Sequence, residues 1–456
     1  MLREPLHETW IDSNRFVPRR FVRPIQKFMK IEASTGALLL LMAAVAMVWA
    51  NSPWSDSYFA FWNTPIDVTV GPIHLSETFQ IFVNDALMTF FFFVVGLEIK
   101  RELVLGRLRD PKAATLPVMA AAGGMLVPAL VYIVLVVGEG GEALSGWAVP
   151  TATDIAFSLG VLSLVGNRAS SGAKLFLLAL AIADDVGAIA IIALFYSEDL
   201  AWNWLTWGIV TLIVIAVAGR AGIRARTFYI PASLVAWFCV HEAGVHPTLV
   251  GVALAFITPA RPMYSAEELY DKGQALLNSF PRHIVTYHQR EEADHQIMTL
   301  AEVARESVAP LARNEHRLLA WSSFLVLPIF ALANAGVRIG DDIGQLLKPV
   351  AMGTALGLLL GKTVGISLFT WLAVKLGWGR LPEGMQGRDV VALAAVAGIG
   401  FTVAIFVSSL AFVDPMLTDQ AKLGILTGSL LAGLLGYSIF RFGPRPKASG
   451  ESAGAE

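Results

Sequence analysis

Charged residues are scarce in this sequence. Only 15% of its 456 residues are charged, against roughly a quarter in soluble domains, whereas 55% are apolar and the mean hydropathy is +0.61. The 34 basic and 36 acidic side chains are too few to cover the roughly two or three domains that a soluble chain of this length would form. An excess of either sign is missing too: a net charge of −2 leaves no basic field for nucleic acid. Cysteine is nearly absent, and Cys239 alone excludes an intramolecular disulfide framework and any CxxC metal or redox motif. Long apolar runs are what the chain has in abundance, so lipid is the solvent implied for most of it.

Counting apolar stretches against the roughly 17 to 25 residues needed to cross about 30 Å of hydrocarbon gives twelve, near 32–51, 79–99, 113–137, 144–165, 174–196, 201–219, 227–240, 245–260, 318–337, 349–374, 389–412 and 421–440. Residues 36–50 look like a signal-peptide core but lack a small-residue cleavage site, and Trp49 and Trp54 suit interface anchors. Thirty of the 34 Lys and Arg residues then fall on one side of the predicted membrane, in the two tails and the alternate connections. The opposite connections hold only Arg338, Lys348 and Lys422, and Lys362 lies inside a span. The positive-inside rule therefore places both termini in the cytoplasm, with tails at 1–31 and 441–456 flanking a transport region at 32–440.

Two connections carry further information. On the outer side, residues 66–70 and 73–76 alternate with period two around Gly71-Pro72, which predicts a short β-hairpin within 64–77, with an ordered loop as the alternative. Two lone strands are marginal by themselves, so pairing with the same strands of a second protomer is implied if they form. On the inner side, 262–317 is one long polar insert, and its Glu-rich stretches 265–278 and 292–308 have the apolar spacing of short helices.

Five ionisable residues lie inside predicted spans: Asp85, Asp154, Asp184, Asp185 and Lys362. At the bilayer centre such a group costs about 2.5 to 3.5 kcal/mol, so five together cost roughly 12 to 17 kcal/mol, comparable with the whole stability of a domain. Either they form a functional site or they are buried ion pairs that fix helix register. Asp184 and Asp185 are adjacent on one helix, so their side chains diverge by about 100°. One is therefore free to bind an ion while the other meets Lys362, the only intramembrane cation, and the spacing does not decide which.

Two spans read as interrupted. In the fourth, Pro150 disfavours helix in the residue before it, and Thr151, Thr153 and Asp154 supply groups that bond free backbone. In the eleventh, the run from Ala397 through Gly398, Gly400 and Phe401 to Thr402 is a second break, although glycines in membrane helices also mark close packing. Interrupted helices in corresponding places of the two halves point to a transporter site near the midplane.

These residues resemble the NhaA-type sodium/proton antiporter family, itself an example of inverted repeats and broken helices. The similarity rests on NDALMTFFFFVVGLEIKREL at 84–103, TATDIAFSLGVL at 151–162, ALAIADDVGAIAIIALFY at 179–196, GVHPTLVGV at 244–252, LPIFALANAGV at 327–337, GKTVGISLF at 361–369 and GIGFTVAIFVSSLAF at 398–412, in order over about 32–440. The resemblance implies an all-α integral membrane fold of twelve transmembrane helices with inverted-topology repeats. Its fourth and eleventh helices would be interrupted and cross near the midplane, and a small extracytoplasmic β-hairpin would join a homodimer. It implies electrogenic, pH-regulated exchange of sodium or lithium for protons by alternating access in the bacterial inner membrane. No cofactor, catalytic residue or nucleic acid belongs to that picture; the partners are the ions, lipid and a second copy.

Residue by residue, the resemblance makes Asp185 the principal cation ligand and Asp184 its partner in proton exchange and the mate of Lys362. Thr153 and Asp154 lie at the crossing, where Asp154 offsets the positive ends of the half-helices and Lys362 the negative ones. Asp85 is an auxiliary intramembrane acid. Glu98 and Glu315 correspond to a cytoplasmic funnel involved in pH response, and His246 to a histidine linked to pH sensitivity near the outer face. The chain departs from the family pattern in its longer insert at 262–312 and in Arg317-Leu318-Leu319-Ala320, which replaces a second histidine followed by proline; Glu315 and His316 remain. His283, His288, His295 and His316 fall in or beside the insert, as pH sensors or as solvated helix faces, with no familiar metal spacing.

Three rival functions fit less well. A carrier of organic acids would call for an arginine clamp, and no arginine lies inside a span. An intramembrane aspartyl protease needs facing aspartates on different helices, usually with GxGD, and here Phe401 follows Gly398-Ile399-Gly400. A passive channel would lack a saturable site.

Overall fold

The computed structural model describes residues 32–70, 73–197, 200–223, 225–280, 286–339 and 343–443. The predicted tail at 1–31, residues 444–456 of the predicted tail at 441–456, the Gly71-Pro72 turn and His283 lie outside the described residues. The chain is predominantly helical, with one two-stranded sheet. Its elements are α1 (Glu32–Ala50), α2 (Ser55–Trp62), β1 (Pro65–Val70), β2 (Ile73–Thr78) and α3 (Phe79–Val104), then α4 (Pro111–Val136) and a 3-10 helix at Gly141–Thr151. There follow α5 (Ile155–Val165), α6 (Ser171–Phe195), α7 (Trp202–Arg220), α8 (Arg226–Glu242), α9 (Thr248–Ile257), α10 (Ala266–Ser279) and α11 (Tyr287–Glu306). The last are α12 (Pro310–Asn334), α13 (Pro349–Lys375), α14 (Gly387–Ala397), α15 (Phe401–Ala411) and α16 (Pro415–Phe442).

Among the described residues seven helices, namely α3, α4, α6, α7, α12, α13 and α16, are long and apolar enough to cross a membrane, and three bent pairs raise the number to ten if each is one span. The chain is a multi-pass membrane protein. The remaining two sequence stretches, 227–240 and 245–260, correspond to α8 and α9, which have only 17 and 10 residues. Val134, Ile213, Val217 and Leu194 are exposed on helices while Asp184 and Lys362 are buried, the reverse of a soluble protein.

β1 and β2 pair antiparallel, from Pro65 opposite Thr78 to Val70 opposite Ile73. In the insert, α10 and α11 each begin with a reciprocal capping box, Ser265 with Glu268 and Thr286 with Gln289. The carboxyl of exposed Glu268 is held below the ordinary glutamate range by its hydrogen bonds with Ser265.

Two sequence readings need correction. Lys422 does not lie in a connection but is buried within α16, because that helix starts at Pro415, capped by Asp414, ahead of the apolar window. Glu315 does not precede the ninth span but lies inside α12, whose first turns are too polar to register as membrane helix.

The chain divides into two compact units, one formed by 1–88, 110–196 and 322–456, the other by 89–109 and 197–321. In the first, α4 and α13 pack backbone against backbone. A Cβ on Gly123 would stand 2.3 Å from the Gly365 carbonyl oxygen, and one on Gly365 would stand 2.2 Å from that of Gly123. Small residues permit this approach where lipid supplies no hydrophobic drive between helices. In the second unit, α3 and α9 meet at Gly251, where a Cβ would be 2.2 Å from the Thr89 carbonyl oxygen, above a buried cluster of Leu97, Ala255 and Leu311.

Candidate ion-binding site

The site is assembled in the first unit from α6, α13 and the two broken spans. The predicted fourth span consists of the 3-10 helix, which carries Pro150 in its last turn, followed by α5 after a bend of 43°; the predicted eleventh consists of α14 and α15, bent by 48°. Proline and the two threonines account for the first break. The second needs close approach and not a special backbone: Gly398 and Gly400 have φ of −69° and −90°, but a Cβ on Gly398 would stand 2.5 Å from the Leu358 carbonyl oxygen.

Asp154, 2% exposed, joins the breaks. Its Oδ1 accepts from the Phe157 amide (2.9 Å) as the N-cap of α5, and its Oδ2 accepts from the Thr402 hydroxyl (2.5 Å) and the Thr402 amide (3.2 Å) in the first turn of α15. One carboxylate thus meets the positive ends of two helices. The Asp154 amide donates to the Ile399 carbonyl at 2.7 Å, and Ser158 Oγ to that of Val396 at 3.1 Å.

Lys362 is fully buried on α13, directly after a π-helical turn at Gly357–Gly361, and such turns re-aim side chains within a helix. Its Nζ donates to Asp184 Oδ2 at 2.7 Å and to Thr153 Oγ1 at 2.8 Å. The Thr153 hydroxyl passes a hydrogen bond on to the Ala397 carbonyl, at the C-terminal end of α14, at 2.8 Å. Lys362 is therefore set against Asp184, and through Thr153 against a negative helix end. Asp184 Oδ1 is buried with no hydrogen-bond partner, and Asp185, one residue on and 5% exposed, also acts on Lys362 through its charge.

Residues 26–440 match the Na+/H+ antiporter 1 family. The chain belongs to that family. Curated relatives agree along nearly the whole length. Na(+)/H(+) antiporter NhaA 2 of Sorangium cellulosum (strain So ce56) is 41% identical over 452 residues, covering 98% of this chain and 95% of that protein. Na(+)/H(+) antiporter NhaA 1 of Myxococcus xanthus (strain DK1622) is 44% identical over 425 residues, covering 93% and 94%. The NhaA antiporter of Oleidesulfovibrio alaskensis (strain ATCC BAA-1058 / DSM 17464 / G20) is 42% identical over 429 residues, covering 92% and 94%.

Within this antiporter family member the other predicted residues separate into groups. Asp85 is half-buried on a π-helical turn at Val83–Leu87. In the second unit, Glu315 is buried and pairs with Arg101 at 2.6 Å, and Glu98, Glu102 and exposed His316 lie within electrostatic reach of that pair. His246 is half-buried and the titratable neighbour that acts on it is His241, so it does not join that group. His288 and His295 are exposed on α11, and among the described residues neither enters a cluster of three metal-type ligands.

Sequence reasoning missed several members: Ser429, Ser158, Arg101, Glu102 and the π-helical turn before Lys362. Arg101 and Glu102 stand three and four residues after Glu98, which puts all three on one helix face. That spacing was a usable signal, whereas nothing in an apolar helix marks a buried serine.

Proposed function

We propose that this protein exchanges sodium or lithium for protons by alternating access, with Asp185 as the principal cation ligand and Asp184 as a second competing acid. The Lys362–Asp184 pair at 2.7 Å, beside Asp185 and at the broken-helix crossing, is the observation that carries the reading. Sodium and lithium are hard cations that suit oxygen ligands, and Asp185, Asp184, Thr153 and unwound backbone offer only oxygens. Protons compete for the same carboxylates, so the ion arriving from one side displaces the other.

Charge arithmetic supports electrogenic exchange. Two helix N-termini bring about half a positive charge each, which Asp154 offsets, and two C-termini bring about half a negative charge each, which Lys362 offsets. Asp184 and Asp185 are left over. Two protons neutralise them and one sodium ion does not, so a cycle trading two protons for one cation carries net charge and responds to the membrane potential.

The fold proposed is the twelve-helix arrangement with inverted repeats, α8 and α9 supplying the two short spans, in the inner membrane with both termini cytoplasmic. The β1–β2 sheet is the proposed contact of a homodimer, on the outer side. The Glu98, Glu315 and His316 group around Arg101, together with His246, is proposed to set the pH response. No enzymatic step and no cofactor enter the mechanism.

The test is sodium-induced collapse of a pH gradient in everted vesicles. Asp185→Asn is expected to insert normally and lose exchange by at least about 100-fold, the equivalent of roughly 2.7 kcal/mol or more. A fully active Asp185→Asn protein, or transport in proteoliposomes indifferent to an imposed potential, would overturn the site or the stoichiometry respectively.

A further inference from the structure

The N-terminus of α15 has no cap of its own, because the residue at its cap position is Gly400. Every helix leaves its first amides without intrahelical acceptors, and buried in a membrane protein these must be satisfied by other side chains. Asp154 takes the Thr402 amide. The two preceding ones, of Gly400 and Phe401, both donate to Ser429 Oγ on α16, each at 3.2 Å. Ser429 is buried, 4% exposed.

The hydroxyl is held in place by close packing along α16. A Cβ on Gly424 would stand 2.4 Å from the Ala351 carbonyl oxygen, and one on Gly428 would stand 2.9 Å from Ala355 Cα. These glycines press α16 onto the first half of α13, so that Ser429 reaches the break from a fixed helix. A neutral acceptor at this point satisfies two amides without adding charge, leaving Asp154 as the single negative group shared by α5 and α15.

We infer that Ser429 is a positioning residue for the exchange: it fixes the first turn of α15 so that Thr402 stays on Asp154 and the two amides do not add uncompensated positive potential beside the cation site. Loss of the hydroxyl disfavours a bound cation, while the carboxylates that carry ions remain. The inference rests on the antiport reading, and exchange by the unmodified protein in the same vesicles separates a failure of that reading from a failure of this one.

The experiment compares Ser429→Ala and Ser429→Thr for sodium-dependent collapse of the pH gradient at a pH where exchange is maximal. Ser429→Ala is expected to raise the apparent KM for sodium by roughly 3- to 30-fold, the scale of one or two lost hydrogen bonds, with a smaller change in maximal rate. Ser429→Thr, which keeps the acceptor, is expected to restore most of it. If Ser429→Ala does not insert, Ser429→Cys, a weak acceptor of similar size, is judged by the same KM criterion. An unchanged KM in a folded variant lacking the hydroxyl, or a threonine variant no better than alanine, overturns the assignment.

Discussion

The two broken spans that meet at Asp154 bend by nearly the same angle, 43° and 48°, yet they differ in what they bring, since only one of them carries a charge. The fourth contributes side chains: Asp154 offers both carboxylate oxygens and Thr153 its hydroxyl. The eleventh contributes mainly backbone: the carbonyls of Val396, Ala397 and Ile399 accept and the amide of Thr402 donates, joined by the Thr402 hydroxyl, which also donates to Asp154. Its glycines remove bulk so that the Leu358 carbonyl oxygen comes near. One arm carries the charge and the other supplies the surface on which that charge is read. Neither holds the proposed principal cation ligand, Asp185, which sits on unbroken α6. In the proposed exchange the crossing acts as an electrostatic frame beside the carboxylates of α6, with Thr153 reaching from one to the other through Lys362.

Substitutions that should cost the same in two equivalent arms test this asymmetry. Asp154→Ala has the largest expected effect, because it strands the Phe157 and Thr402 donors and leaves two positive helix ends uncompensated. A loss of about 3 to 5 kcal/mol is expected, read as a fall in thermal unfolding temperature of the detergent-purified protein together with loss of exchange. Gly398→Ala, in the arm without charge, acts by bulk alone. Its Cβ forces the Leu358 carbonyl aside, with an expected cost of about 1 to 3 kcal/mol and a slowed maximal rate in vesicles at unchanged sodium affinity. Thr402→Val is the mildest, about 1 kcal/mol, since the Thr402 amide still reaches Asp154; a modest rise in apparent KM is the readout. Equal costs for Asp154→Ala and Gly398→Ala would refute the division of labour.

Much of this was legible before any coordinates. Asp154 and Lys362 announce themselves because ionisable groups in apolar runs are too costly to be incidental, and Pro150 with its threonines marks a break by backbone chemistry that is local. The helices of the insert followed from the apolar spacing of its Glu-rich stretches 265–278 and 292–308, whereas their capping boxes became visible only in the structure. Other features were hidden because they depend on which helix lies beside which. Adjacent aspartates on one helix diverge, and only the tertiary placement of Lys362 selects Asp184 for it. Lys422 looked like a residue of a connection because its helix is polar at the start, and Glu315 was placed outside its span for the same reason.

The sequence by itself determined that lipid is the solvent for most of the chain and that four aspartates and one lysine lie within its apolar runs, because hydropathy and the desolvation of charge are properties of short segments. Tertiary structure decided the partners: Asp184 for Lys362, two helix ends for Asp154, Ser429 for the amides of Gly400 and Phe401, and Arg101 for Glu315. Those choices are made across tens to hundreds of residues, by glycine-lined contacts such as Gly123 on Gly365, which seats α13 against α4, while Lys362 of α13 reaches Asp184 of α6 at 2.7 Å.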